Sequence, residues 1–363
     1  MSVLIFFLVL FVLILVHEWG HFIAAKKTGM RVDEFGIGFP PKVFGIKKGE
    51  TEYTLNALPI GGFVRIYGEN PEAVDGHDPD IARAFGSRPK WAQAVVLVAG
   101  VTMNVIFAWL LFFGTFLLGV PTAVEENVAS PEAVLYISGV LPGGPLDGKI
   151  EPGSQILSLS SASGELQNPK PSSFSEFVQS NPDSEITITY SYADEELSTV
   201  ITPVVGLIPD AAERAAVGVS LAMVETKSSG FFASIAAASS QTYNGLIAIT
   251  VGLFTLLGQS LTGSADFSQV AGPVGIVGMV GDAADFGITA LLTFTAMISL
   301  NLAVINMLPV PALDGGRLVF VAIEAITRKP INPVWSGRVN LVGFVLLMLL
   351  MVVVTWNDIA KLL

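Results

Sequence analysis

The sequence predicts a membrane α-helical bundle with four transmembrane helices, a cytoplasmic membrane-associated β-hairpin loop and an extracytoplasmic α+β domain. Three observations carry that expectation. The chain of 363 residues is 52% hydrophobic and only 14% charged, against about 25% charged residues in soluble domains. Its apolar residues fall in stretches at roughly 3–25, 95–119, 287–308 and 339–357, each long enough to cross about 30 Å of hydrocarbon. Its cations gather in two of the connecting loops, which sets an orientation.

The first element, residues 1–28, reads as a retained span. It has no basic n-region and no small-residue cleavage site, and Lys26, Lys27 and Arg31 follow the apolar run. The loop at 29–94 also carries Lys42, Lys47, Lys48, Arg65, Arg83, Arg88 and Lys90. It is expected in the cytoplasm. Within it, "VDEFGIGFPPKVFGIKKGETEYTLNALPIGGFVRIYGE" alternates apolar and polar residues between Gly and Pro, the pattern of hairpin strands. "LPIGGFVRI" reads as an edge strand whose glycine pair, Gly61 and Gly62, lets another backbone approach. A plain cytoplasmic hairpin would share this pattern.

After the second span, 95–119, comes an acidic insert at 120–228, expected outside. "VLYISGVLPGGPLDGKIEPGSQILSLSS" and "SEITITYSYADEELSTVITPVVG" read as short strands around Pro-Gly and acidic turns, with a helix at "SSFSEFVQS". Residues 229–286 contain an apolar stretch, 231–258, interrupted by Gln241 and Asn244. If it crossed the membrane, the cationic loop after the third span would lie outside, against its charge. We therefore expect an interfacial or partly embedded helix. The third span and its loop occupy 287–338, with Arg317, Arg328, Lys329 and Arg338 facing the cytoplasm. The fourth span lies in 339–363. Both termini are then outside.

A net charge of −12 excludes a phosphate-tracking surface, so no nucleic-acid partner is expected. With no cysteine in the chain, any zinc here is held by His and carboxylate alone.

The chemistry concentrates in "HEWGH", residues 17–21. On a helix, side chains four apart lie within about 40° of each other, so His17 and His21 can share one metal. Glu18 sits on the same side, free to handle a proton. Each charged group near the bilayer centre costs at least about 2.5–3.5 kcal/mol, so packing alone does not account for three ionisable groups at the end of a span. A catalytic zinc needs a third protein ligand. His77, in the polar "DGHDPD", reads as a solvated turn residue. Asp314, in "NMLPVPALDGGRL", follows Pro309 and Pro311, which break the third span. An Asp before Gly-Gly is also an ordinary turn and helix cap. Topology favours the ligand reading, because spans one and three both run inward and deliver His17, His21 and Asp314 to the same depth. "GPVGIVGMVG", residues 272–281, lacks the Gly-Lys-Ser/Thr ending of a nucleotide loop and reads as tight helix packing.

"HEWGH", "NMLPVPALDGG", the Gly100 and Asn104 of "VAGVTMN", and an insert whose "LPGGPLDGKIEPGSQILSLS" resembles bacterial PDZ domains together resemble the site-2 protease family. The match is to its regulator-of-sigma-E protease branch, in a form with one PDZ-like domain. The resemblance implies zinc on His17, His21 and Asp314, Glu18 as general base, and substrate contacts from Asn306 and Asn104. It implies presentation of substrate by the hairpin ending in "IGGFVRI". It further implies a multi-pass enzyme of the bacterial inner membrane that cuts transmembrane segments of single-span proteins, such as anti-sigma factors or remnant signal peptides. The PDZ-like domain would accept a peptide C-terminus or act by size exclusion. Where the family has Gly-Pro in its second span, this chain has Gly100-Val101. Asn104 and Asn306 also fit plain amide bonds between packed helices. A non-catalytic zinc-binding membrane scaffold presenting a PDZ-like domain is the alternative, which a Glu18→Gln variant separates.

Overall fold

The computed structural model describes residues 1–69, 78–192, 195–207, 214–264 and 271–362. His77 lies outside the described residues. The chain forms two compact units: Met1–Thr115 with Phe231–Leu363, and Phe116–Gly230.

In the first unit, α1 (Ser2–Lys27) is apolar along most of its length and ends where Lys26 and Lys27 appear. Gly29, at φ 77°, turns the chain out of the helix, and Thr28 and Met30 N–H groups return to the carbonyls of Ala24 and Ala25. This is the capping role a left-handed glycine serves. β1 (Val32–Lys48) and β2 (Thr51–Ile66) follow as the expected hairpin, turning at Gly49, φ 67°. The pairing is richer than one hairpin. Residues Glu34 to Ile37 lie opposite Glu52 to Leu55 and also opposite Arg65 to Gly62. The 62–66 stretch therefore forms an edge beside α1. Lys26, at the end of α1, and Arg83 both grip Glu50 beside the hairpin turn, at 2.6 and 2.7 Å. They hold its carboxyl down at about 2, chiefly through the hydrogen bond from Arg83 and then that from Lys26.

α2 (Lys90–Leu118) starts five residues before the expected span, because helix continues into the polar flank that hydropathy does not register. Small residues bring α2 against α1. A methyl group on Gly20 would lie 2.5 Å from the Ala99 carbonyl oxygen.

The second unit is a sheet of order β3–β11–β4–β5–β7–β8, with β6 paired to β5. Its strands are β3 (Val120–Val124), β4 (Val134–Val140), β5 (Gln155–Ser161), β6 (Gly164–Gln167), β7 (Ile186–Tyr192), β8 (Glu195–Ile201) and β11 (Val219–Lys227), with a short pair β9 (Val204–Val205) and β10 (Ala215–Ala216) beside them. The one helix described here, α3 (Pro171–Gln179), contributes Phe174 and Val178 to a core with Leu135, Ile137, Leu159, Ile186 and Ile188. Alternation along β7 places Ile186, Ile188 and Tyr190 inward, as a sheet with one covered face requires.

The chain then returns to the first unit through α4 (Phe231–Thr262), α5 (Pro273–Asp285), α6 (Ile288–Met307), α7 (Asp314–Thr327) and α8 (Pro333–Leu362). The 272–281 run forms most of α5, where a methyl on Gly281 would meet Ser2 of α1. The Asp358 carboxylate of α8 accepts the N–H groups of Gly272 and Gly275, at 3.0 and 2.8 Å, and so ties α8 to the start of α5. α8 begins six residues before the expected span: Asn332 Oδ1 accepts the Val334 N–H at 2.9 Å, and Pro333 suits a first helical position. Among the described residues, four helices are long and apolar enough to cross a membrane: Ser2–Lys27, Lys90–Leu118, Ile288–Met307 and Val334–Lys361. α4 is not among them.

Candidate metal centre

Two elements far apart in sequence bring the donor atoms together. His17 and His21 stand one turn apart on α1 and are both 8% exposed. Asp314 opens α7, directly after the loop that ends α6. Asp314 Oδ2 lies 3.1 Å from His17 Nε2 and 3.3 Å from His21 Nε2, and the two imidazole nitrogens are 3.1 Å apart. Three donors spaced this way suit one tetrahedral ion. With bonds of about 2.0–2.1 Å, neighbouring ligands of a zinc ion stand about 3.3 Å apart. Among the described residues this is the one group of three such side chains able to share a metal.

The surroundings orient these donors. His21 Nδ1–H donates to the Val96 carbonyl at 2.8 Å. That bond fixes the tautomer whose Nε2 lone pair faces Asp314 and His17. Asn104 is fully buried, its Nδ2 lies 3.3 Å from His17 Nδ1, and its Oδ1 has no partner. With the amide turned over, Oδ1 accepts the Nδ1–H of His17, the tautomer that leaves Nε2 for a metal. Ser299 of α6 donates to the Asn104 carbonyl at 2.8 Å and so braces this part of α2. Gly100 makes the room. A methyl there would lie 2.7 Å from His21 Cε1 and 2.8 Å from His17 Cε1. Gly315 and Gly316 do the same for α7, whose start lies against the carbonyls of Met307, Leu308 and Val310.

Glu18 faces two cavities that meet the donors. One, of about 330 Å³, is lined by Leu13, Asn104, Leu302, Asn306 and Leu313 beside His17 and Asp314. The other, of about 180 Å³, is lined by Phe63, Val64, Glu69 and Arg317 beside the same ligand set. Glu18 Oε2 accepts the N–H of Val64 at 3.1 Å, so the edge of β2 touches this carboxylate. Arg317 pairs with Glu69, and Glu69 also accepts the Ile66 N–H at 3.4 Å. The pair joins α7 to that edge.

His17, Glu18, His21, Asp314, Asn104 and Asn306 thus gather in one place, with Asn306 Nδ2 3.5 Å from His17 Nε2. Gly61 and Gly62 stand differently. A methyl on Gly62 would meet the Gly36 carbonyl at 2.9 Å, and one on Gly61 would meet Ile14 at 3.0 Å. The close backbone approach at Gly62 is within the sheet, Gly61 packs on a side chain of α1, and the cavity wall is made by Phe63 and Val64. Gly100, Val96, Val64, Glu69 and Arg317 were not singled out by sequence reasoning for these roles. Four of them lie in stretches the sequence marks: Gly100 in "VAGVTMN", Val64 and Glu69 in the hairpin stretch at 32–69, and Arg317 in "NMLPVPALDGGRL".

The model of peptidase family M50 matches residues 5–350. The zinc metalloprotease RasP of Shouchella clausii is 31% identical, with both chains covered in full. The zinc metalloprotease RasP of Geobacillus kaustophilus is 31% identical over 99% of this chain and 98% of its own. The regulator of sigma-W protease RasP of Bacillus subtilis is 30% identical over 99% of each chain. A family match along nearly the whole sequence, joined to an HExxH helix and an Asp that converge on one point, leads to one conclusion: this chain belongs to peptidase family M50, the site-2 protease family.

Proposed function

We propose that this chain is an intramembrane zinc endopeptidase that cuts transmembrane segments of single-span membrane proteins. Membership of family M50 makes it a membrane zinc metalloprotease. The reading of an intramembrane site rests on one observation: His17, Glu18 and His21 stand on a helix long and apolar enough to cross a bilayer, and Asp314 of α7 converges with the two histidines.

His17, His21 and Asp314 would hold the zinc, which supplies Lewis acidity toward water and a peptide carbonyl. Glu18 takes a proton from the attacking water as the new C–O bond forms, and returns it to the leaving nitrogen as the C–N bond breaks. His21 is kept in register by Val96. Backbone groups in a membrane helix are already bonded within the helix, so the substrate segment must unwind before it is cut. Substrate laid along residues 62–66 passes beside Glu18, because the Val64 N–H reaches that carboxylate. The Asn306 amide lines the other cavity beside Glu18 and suits freed backbone groups.

We read Phe116–Gly230 as a PDZ-like domain on the extracytoplasmic face of the inner membrane, opposite the cationic loops. A groove of about 510 Å³ lies between α3 residues Phe174 and Val178 and the 214–221 stretch. Beside it, Val219 to Ala222 pair with β4, while β3 covers only Met223 to Lys227. An extended peptide C-terminus suits such an edge. The name of the Bacillus subtilis relative, a regulator of sigma-W protease, supports membrane-bound anti-sigma factors as one substrate class; remnant signal peptides, also short single spans, are the other class we propose.

The test is cleavage of a model single-span substrate by wild type and Glu18→Gln in vesicles. Wild type cuts within the span, and Glu18→Gln binds substrate and zinc without cutting. Cleavage by Glu18→Gln at the wild-type rate would overturn the reading.

A further inference from the structure

We infer that Asn340 of α8 is a positioning residue for the third zinc ligand, acting through the backbone of Ala312. This rests on the reading of Asp314 as a ligand. The loop from Leu308 to Leu313 joins α6 to α7 and ends one residue before Asp314. Within it Ala312 has φ 76°, a left-handed conformation that an alanine adopts only under constraint.

Asn340 Oδ1 accepts the Ala312 N–H at 3.3 Å. One turn further along α8, a methyl on Gly343 would lie 2.5 Å from both the Cβ and the carbonyl oxygen of Pro311. The α8 backbone therefore backs directly onto the loop, with the amide of Asn340 fastening the next residue. On the loop's other side, Gly315 and Gly316 of α7 lie against the carbonyls of Met307, Leu308 and Val310. The loop is held between α7 and α8, and the direction in which Asp314 leaves it depends on the twist at Ala312. Ala312 and Leu313 also line the cavity that holds His17 and Glu18, so a relaxed loop changes that wall as well.

Glycine adopts positive φ without a steric penalty. If Asn340 serves to hold residue 312 in its left-handed conformation, glycine at that position makes the amide largely dispensable. A residue that merely packs α8 against its neighbours would not be replaced in this way.

The experiment is chelator titration of the purified full-length protein, zinc-loaded, in Asn340→Ala, Ala312→Gly, the double variant and Asp314→Ala. Retention of zinc is read directly, beside thermal stability. Outer partners of metal ligands typically set about 10–100-fold in affinity. Asn340→Ala should lose zinc about tenfold more readily than wild type, and the double variant should return to within about threefold. If Asn340→Ala does not accumulate folded protein, recovery of folded protein in the double variant is the same test. Wild-type zinc retention by Asn340→Ala overturns the inference, as does a double variant no better than Asn340→Ala. Asp314→Ala separates the two levels: wild-type zinc retention there sinks the ligand assignment itself, whatever Asn340 does.

Discussion

Gly100→Ala tests the centre through the space it leaves. The added methyl would lie 2.7 Å from His21 Cε1 and 2.8 Å from His17 Cε1, where carbon atoms prefer about 3.5–4.0 Å. Something must move by about 1 Å, while metal sites tolerate about ±0.2 Å in ligand position. Relieving the clash by moving α2 off α1 would open the close approach of Gly20 to the Ala99 carbonyl. Overpacking of this kind typically costs about 1–3 kcal/mol, whereas Gly to Ala inside a helix gains up to about 1 kcal/mol. Thermal stability is thus a poor discriminator, and zinc affinity is the informative readout. Direct displacement of two ligands should exceed the loss from an outer partner and weaken zinc at least about 100-fold, or about 2.7 kcal/mol. The control is Gly114→Ala on the same helix, where a methyl meets nothing within 4 Å. It should keep wild-type affinity. In a chelator competition assay, wild-type zinc affinity in Gly100→Ala would refute the reasoning.

Two further perturbations probe the same geometry from other directions. Val64→Pro removes the N–H that Glu18 accepts. It should lower kcat by about tenfold or more with zinc retained, and unchanged kcat would show that this edge does not serve the base. Glu50→Gln tests the clamp beside the hairpin turn. Its carboxyl is held down at about 2 by Arg83 and Lys26, so its contribution is fully present above about pH 4.5 and lost as pH falls toward 2. After solvent screening that contribution is about 1 kcal/mol. The wild-type advantage over Glu50→Gln in melting temperature should therefore vanish on acidification across this window, and an advantage that persists at pH 2 would contradict it.

Much of this centre is legible in the chain because its chemistry is locally encoded. His17, Glu18 and His21 share one helical face by spacing alone, and ionisable groups at a span's end demand a reason. Asp314 needs more: the proline break after α6, and loop charges that point spans one and three the same way. The hairpin is visible as alternation around Gly49. What lies beyond reach is contact between segments whose local patterns are silent about each other. No periodicity announces that Gly36 packs against Gly62, that Val96 holds His21, or that Val64 meets Glu18. Gly100 looks like any helical glycine until the imidazoles appear opposite it. The ends of α2 and α8 fall outside the apolar stretches because a helix outlasts the hydrocarbon it crosses, and proline and capping residues set where it begins.

Zinc K-edge X-ray absorption on the Glu18→Gln protein tests the central claim most directly. The account predicts one zinc per chain with two imidazole nitrogens and oxygen donors at about 2.0–2.2 Å. A first shell with a single imidazole, or with none, would contradict it.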